Sequence, residues 1–241
     1  MTRVAIIAAF PGELEPLVRG WEGESRDGVR LWRRRSGDGE WIAACAGVGA
    51  DSAARAFVEI EKGGAVDSVV STGWAGALRE GFAAGRAYGV SEVVDASTGE
   101  RFPATAGAPP GCTLVTSQRF ADPPEKRRLA SLYGAGLVDM EAAGVARLAG
   151  VRRIPFHCVK GVSDGFADLM PDFNRFIDAN GRFHLVRFVV FAIFRPMHWP
   201  ALIRIGGNSR RAAHGIRESV LDILDESRTI AKREDCANPK R

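Results

Sequence analysis

Two short motifs place carboxylates where the surrounding pattern calls for apolar side chains. Asp139-Met140-Glu141-Ala142 opens an apolar run at helical spacing (Met140, Ala142, Ala143, Val145, Ala146, Leu148). About twenty residues later, Gly161-Val162-Ser163-Asp164-Gly165 closes an expected strand over 156–162. Carboxylates at the mouth of a strand–helix layer suit a reaction that builds positive charge on a sugar ring and protonates a leaving base. Cleavage of a nucleoside N-glycosidic bond is such a reaction, and a well-placed general acid contributes about 10²–10⁴-fold to it.

The elements that must hold these groups alternate between strand and helix. Residues 4–9 are a short apolar run ended by the breaker pair Pro11-Gly12, which predicts a buried strand, and a helix begins around Glu13. Residues 29–34 and 40–46 read as a hairpin about Ser36-Gly37-Asp38-Gly39. Gly47-Val48-Gly49 turns into a helix carrying Ala53, Ala54, Phe57, Val58 and Ile60. Residues 67–72 form the next buried strand and end in Gly73-Trp74-Ala75-Gly76. Further strands are expected over 87–96, 113–116 and 156–162, and helices over 138–149 and 216–231. Such alternation implies an α/β fold, a mainly parallel sheet covered on both faces. Ligands bind beyond the carboxyl ends of strands in these sheets, and Glu13, residues 73–76, Glu141 and Asp164 all fall near such ends.

Composition agrees and excludes alternatives. A chain of 241 residues with 46% hydrophobic content supports one large α/β domain. Its net charge of +4 is scattered over short arginine clusters with no aromatic-interleaved basic stripe, which argues against nucleic-acid binding. Cys45, Cys112, Cys158 and Cys236 have no paired short spacing, so neither a zinc site nor a disulfide framework is indicated. No metal or cofactor is called for. The first residues run directly into a strand rather than a signal segment, and a cytosolic setting is expected.

Four stretches resemble the nucleoside phosphorylase and methylthioadenosine/S-adenosylhomocysteine nucleosidase superfamily over roughly residues 1–180. They are Ile6-Ile7-Ala8-Ala9 with Glu13, residues 71–78, Val138-Asp139-Met140-Glu141-Ala142, and Val162-Ser163-Asp164-Gly165. The resemblance implies a single domain over 1–228 around a twisted mixed sheet flanked by helices, assembled into homodimers or larger homo-oligomers. It implies that Asp164 is the acid at the purine, arriving protonated or sharing a proton, with Ser163 orienting it. Glu141 would grip the ribose hydroxyls, Met140 would pack under the sugar, and Glu13 would activate water. Phe120 would stack on the base and the Ala121 backbone would read its edge, while Gly73, Trp74, Ala75 and Gly76 would line the sugar. Trp74 stands where the family commonly has a small serine, which alters the pocket on the nucleophile side. The family's phosphorylases tend to carry arginine just upstream of this glycine, where this chain has Ser71. Water is therefore expected over phosphate. Arg33-Arg34-Arg35 is an alternative phosphate site or a solvated basic face of a strand.

Beyond residue 183 the chain departs from that pattern. The apolar extension over about 183–205 is interrupted by Arg187, Arg195 and Arg204 and broken by Pro196 and Pro200, so it is not a spanning helix. Three readings stand: a buried core or dimer helix, a lid over an apolar substrate, and a peripheral membrane contact with arginines at the headgroups. The last two join if the substrate is a lipid. The extension resembles that of a hopanoid-associated branch, implying release of adenine from adenosylhopane. The expected activity is purine nucleoside N-ribosyl hydrolysis releasing adenine from a 5′-substituted adenosine. The alternatives are a phosphorylase and a non-catalytic nucleoside- or lipid-binding protein. Residues 229–241 read as a disordered tail.

Overall fold

Short runs rich in Val, Ile and Ala build the centre of the sheet in the computed structural model, which describes residues 2–37, 39–105, 112–168, 172–178 and 183–237. Strand β1 (Thr2–Ala8) buries six successive residues, as a strand covered on both faces must. Helix α1 (Pro11–Val18) follows, then the antiparallel strands β2 (Glu22–Arg26), β3 (Val29–Ser36) and β4 (Gly39–Cys45). Helix α2 (Ala50–Glu61) leads to β5 (Ser68–Ser71) and β6 (Trp74–Ala77). Next come β7 (Ala87–Gly89), β8 (Glu92–Asp95), β9 (Arg101–Pro103), β10 (Thr113–Thr116), α3 (Pro123–Tyr133), β11 (Leu137–Asp139), α4 (Ala142–Arg152) and β12 (Phe156–Asp164). Past a 3₁₀ turn at Phe173–Phe176, α5 (Leu185–Ile193) and a second such turn precede the long α6 (Trp199–Ala237).

The sheet runs β2-β3-β4-β1-β5-β12-β6-β11-β10-β8-β9, with β7 also on β12. It is mixed and mainly parallel: β4, β1, β5, β12 and β6 pair in parallel in succession, as do β11, β10 and β8. Phe57 and Ile60 of α2 and Val145 and Ala149 of α4 pack one face. Leu14 and Leu17 of α1 with Ile216, Val220 and Leu224 of α6 pack the other. The α/β expectation holds.

Strand β12 links the two halves, pairing β5 through Phe156–Cys158 and β6 through Gly161–Asp164, with a register shift between Val162 and Asp164. That shift re-aims the strand's end, as bulges do, and sets Asp164 beside Gly76. Helix α6 lies close on β12 because residue 161 is glycine. A Cβ there would stand 2.8 Å from Ala212 Cβ and 2.9 Å from Ile216 Cδ1.

Several boundaries differ from expectation. The helix expected from residue 138 begins at Ala142, because Val138 and Asp139 end β11 and the Asp139 carboxylate accepts the Ala142 N–H at 2.9 Å. The strand expected over 87–96 is two, β7 and β8. The final helix starts at Trp199 rather than 216 and runs to Ala237. The disordered tail expected from 229 is thus helical to that residue: no glycine or proline interrupts 216–237, so backbone bonding propagates, with Thr229 Oγ1 donating to the Asp225 carbonyl at 3.0 Å. Residues 238–241 of that expected tail, and Asp38 of the β3–β4 turn, lie outside the described residues.

Candidate active site

The carboxyl ends of β1, β5, β10, β11 and β12 open onto a cavity of about 330 Å³. Glu13, Trp74, Ala75, Gly76, Phe120, Ala121, Met140, Glu141, Ser163 and Asp164 all line it. Gly73 stands behind the lining, and its φ of 123° suits a residue without Cβ. A Cβ at that position would meet the Glu13 carboxylate at 2.9–3.0 Å.

Glu13 is the third residue of α1, where a glutamate can reach back to the cap. Its Oε2 accepts the Ala9 and Phe10 N–H groups, each at 2.8 Å, and Oε1 accepts the Trp74 N–H at 2.9 Å. Burial raises the Glu13 pKa above the usual 4.5, and the backbone donors from Phe10 and Trp74 oppose it. The change that Trp74 makes on the nucleophile side takes a particular form. Its backbone holds Glu13, while its indole N–H donates to the Ser209 carbonyl at 3.2 Å and so ties α6 to the site.

Glu141 caps the entry to α4, and its Oε1 accepts the Gly49 N–H at 2.9 Å. Burial, and then the neighbouring Asp139 charge, push its pKa up to about 8, against the lowering influence of Lys160. Asp139 is buried and held by three donors. Thr116 Oγ1 donates to it at 2.7 Å, Ala142 N at 2.9 Å, and Lys160 Nζ pairs with it at 2.8 Å. Lys160 also donates to the Thr72 carbonyl at 3.0 Å, and the anions around it raise its pKa despite burial. This pair fixes the β11–α4 junction that carries Met140 and Glu141.

At the other end of the cavity, Ser163 Oγ lies 2.7 Å from Asp164 Oδ1 and is placed to donate to it. Lys126 Nζ bonds Asp164 Oδ2 and also donates to the Gly165 carbonyl at 2.8 Å. Both side chains of this ion pair are 1% exposed. Lys126 reaches the site because α3 is capped by Asp122, whose Oδ1 accepts the Glu125 N–H at 2.9 Å. That start directs Lys126 and Leu129, three residues apart, inward. Phe120 packs edge-on against Phe173 at 5.1 Å, and Asn174 Oδ1 accepts its N–H at 2.8 Å.

Sequence reasoning missed Lys126 as a site residue and passed over Lys160. A lysine inside the apolar strand run 156–162 was a usable signal for Lys160. Lys126, in a polar helix, gave none. The arginine cluster 33–35 is not among the lining residues, and Arg33 pairs with Glu24 and Glu40. Among the described residues no group of His, Cys, Asp and Glu could hold a metal ion.

The far wall is apolar. Phe10, Phe173, Ile177, Phe183 and Ile205 line it, and Phe188 of α5 backs it through Phe173 at 5.6 Å and Phe183 at 5.4 Å. Outside, Val189, Val190, Ile193, Phe194, Met197 and Ile203 are exposed. No single described helix is long and apolar enough to cross a membrane, and the segments 187–193 and 196–227 are bent by 99°.

A family profile described as the phosphorylase superfamily matches residues 3–110 and 91–183. No curated protein sequence matches the chain. Among solved structures, similar folds include the Helicobacter pylori 5′-methylthioadenosine/S-adenosylhomocysteine nucleosidase with butyl-thio-DADMe-Immucillin-A, at 14% identity and a TM-score of 0.70 over 94% of this chain and 99% of that one. The Neisseria meningitidis nucleosidase of the same name, with methylthio-immucillin-A, has 18% identity and a TM-score of 0.69 over 94% and 100%. The futalosine hydrolase of Helicobacter pylori has 14% identity and a TM-score of 0.70 over 93% and 98%.

Proposed function

The chain belongs to the phosphorylase superfamily, and from that premise we propose that it is a nucleoside N-ribosyl hydrolase releasing adenine from a 5′-substituted adenosine. The observation that carries the reading is one cavity lined by four carboxylate side chains, of which Asp139 is held by Lys160 and the other three, Glu13, Glu141 and Asp164, stand in distinct settings. Glu13, gripped by backbone donors, activates water. Glu141 accepts from the ribose hydroxyls above Met140. Asp164, with its paired Lys126 and Ser163, faces the departing base, which stacks on Phe120 beside Ala121. Ala75 and Gly76 bound the sugar, and Gly73 leaves room for the Glu13 carboxylate. As positive charge grows at the ribose C1′, the Glu13 carboxylate stabilises it and protonation stabilises the base.

Water is favoured over phosphate because a phosphate dianion needs unspent cations at the nucleophile side. Of the lining cations, Lys126 is paired with Asp164 and Arg119 adjoins Phe120 at the base end. The structural neighbours' names, nucleosidases and a hydrolase, support the same choice.

The 5′ substituent is apolar and long, of the adenosylhopane kind. A cavity of about 330 Å³ is at the small end of ligand sites and is filled by the nucleoside itself. A longer group leaves past Phe183 and Ile205 onto the exposed apolar face of α5 and α6. The exposed Arg187 of α5 and Arg195 of the turn that follows it would meet lipid headgroups, making the protein a peripheral visitor to the bilayer. The test incubates the protein with 5′-alkyl adenosines, with and without phosphate. Free adenine without phosphate supports the reading. A phosphate requirement means a phosphorylase, and saturable binding with no base release means a binding protein. Co-sedimentation with anionic vesicles tests the membrane contact. Self-association that buries the same face, measured by ultracentrifugation, would instead give that face to a second copy.

A further inference from the structure

We propose that the proton delivered to the departing base comes from Lys126, with Asp164 as its positioning partner rather than as a neutral carboxylic acid. The inference rests on the hydrolase reading and deepens it. An ammonium carries three N–H bonds. Those of Lys126 to Asp164 Oδ2 and the Gly165 carbonyl use two, which leaves one for a ligand, and Lys126 lines the cavity. Asp164 receives Ser163 Oγ on Oδ1 and Lys126 on Oδ2, so donors occupy both oxygens and the resident proton sits on nitrogen. Each carboxylate oxygen keeps a second lone pair. The pair therefore presents one donor and one acceptor side by side, matching N7 and the exocyclic 6-amino group of adenine.

Gly76 preserves this arrangement. A Cβ there would stand 3.1 Å from Asp164 Oδ2 and 3.3 Å from Lys126 Cε. The reaction balances without another reagent. The C1′–N9 bond breaks with its electron pair passing to the purine, the Lys126 proton transfers to N7, and a neutral purine departs from a neutral amine. Water adds at C1′ and gives its proton to Glu13. Glu13 then loses, and Lys126 regains, one proton through solvent.

The test compares wild type with Lys126→Gln and Lys126→Met on a 5′-alkyl adenosine and on a p-nitrophenyl riboside, whose leaving group departs without protonation. Gln keeps an N–H donor for Asp164 but has no transferable proton. The expected result for both variants is a kcat on the adenosine lower by roughly 10²–10⁴-fold, with the rate on the aryl riboside, which makes no N7 contact and needs no transferred proton, within a few-fold of wild type. The retained aryl activity also reports that the variants are folded. Lys126→Arg, which keeps a cation beside Asp164 but does not give up its proton, repeats the comparison if the neutral variants do not fold. Adenosine cleavage at the wild-type rate overturns the proposal, as does an equal loss on both substrates, which would make Lys126 a support for the fold. Wild type that releases base from neither substrate overturns the hydrolase reading and this inference with it.

Discussion

Glu13→Gln tests whether the Glu13 carboxylate does chemistry or only holds two loops together. In the native site it accepts three backbone N–H groups, two on Oε2 at 2.8 Å and one on Oε1 at 2.9 Å. Glutamine offers one carbonyl oxygen. The best orientation keeps that oxygen on Ala9 and Phe10 and turns the NH₂ toward the Trp74 N–H, so donor faces donor. One hydrogen bond to a charged acceptor is lost, at about 1.5–3 kcal/mol. The amide also removes a charge whose burial is unfavourable, the cause of the raised Glu13 pKa, so the net destabilisation is about 1–2 kcal/mol. For a chain of this size that lowers Tm by roughly 2–8 °C. Losing the general base should cost far more, roughly 10²–10⁴ in kcat, or about 3–5 kcal/mol of barrier. The base acts ionised, and its pKa lies above the usual 4.5. Wild-type kcat/KM therefore climbs with pH along an acid limb set above the ordinary glutamate range, and the variant lacks that limb. Adenine release under saturating substrate, with a thermal melt on the same samples, reads both effects. A kcat within tenfold of wild type beside the expected Tm loss would refute the base role and leave Glu13 as a structural clamp.

Three further outcomes are expected. Glu141→Gln should gain stability relative to wild type as pH rises from about 4.5 to about 8. The folded pKa is raised to about 8, so the glutamate favours the fold below its unfolded value and loses that contribution through this window, whereas the amide loses nothing. Melts across pH 4–9 check this, and the same variant should lose more rate on the ribonucleoside than on its 2′-deoxy analogue. Lys160→Met leaves the Asp139 carboxylate buried and unpaired and should cost about 3–5 kcal/mol, part of it recovered in Lys160→Met/Asp139→Asn when both are measured by urea unfolding. Phe188→Asp, set among Phe173, Phe176 and Phe183, should reduce the rate ratio of long-chain to short-chain 5′ substrates before it reduces adenosine cleavage. An unchanged ratio with lowered Tm would assign α5 a purely structural part.

The sequence by itself determined the layered architecture and ten of the residues that line the cavity. The apolar run at 4–9 has no hydrophilic face, so it must lie inside a covered parallel sheet, and the motifs at the carboxyl ends of this strand and of those expected over 67–72 and 156–162 must share one rim. Local pattern failed where signals were symmetric or weak. Val138 fits an apolar helical face as well as a strand end, and only the Asp139 bond to Ala142 N and the pairing of β11 with β10 separate the two. Strands β2 and β9 are edges with largely solvated side chains and lack the alternation that marks a half-buried strand. What the tertiary structure alone decided are the partners. Lys126 meets Asp164 across 38 positions of chain, and the Trp74 indole meets Ser209 across 135. Contacts at such separations depend on how α3 and α6 close over the sheet. A lysine in a polar helix and a tryptophan after a glycine carry no local record of the atom each will bond, because the packing of distant elements creates that neighbour.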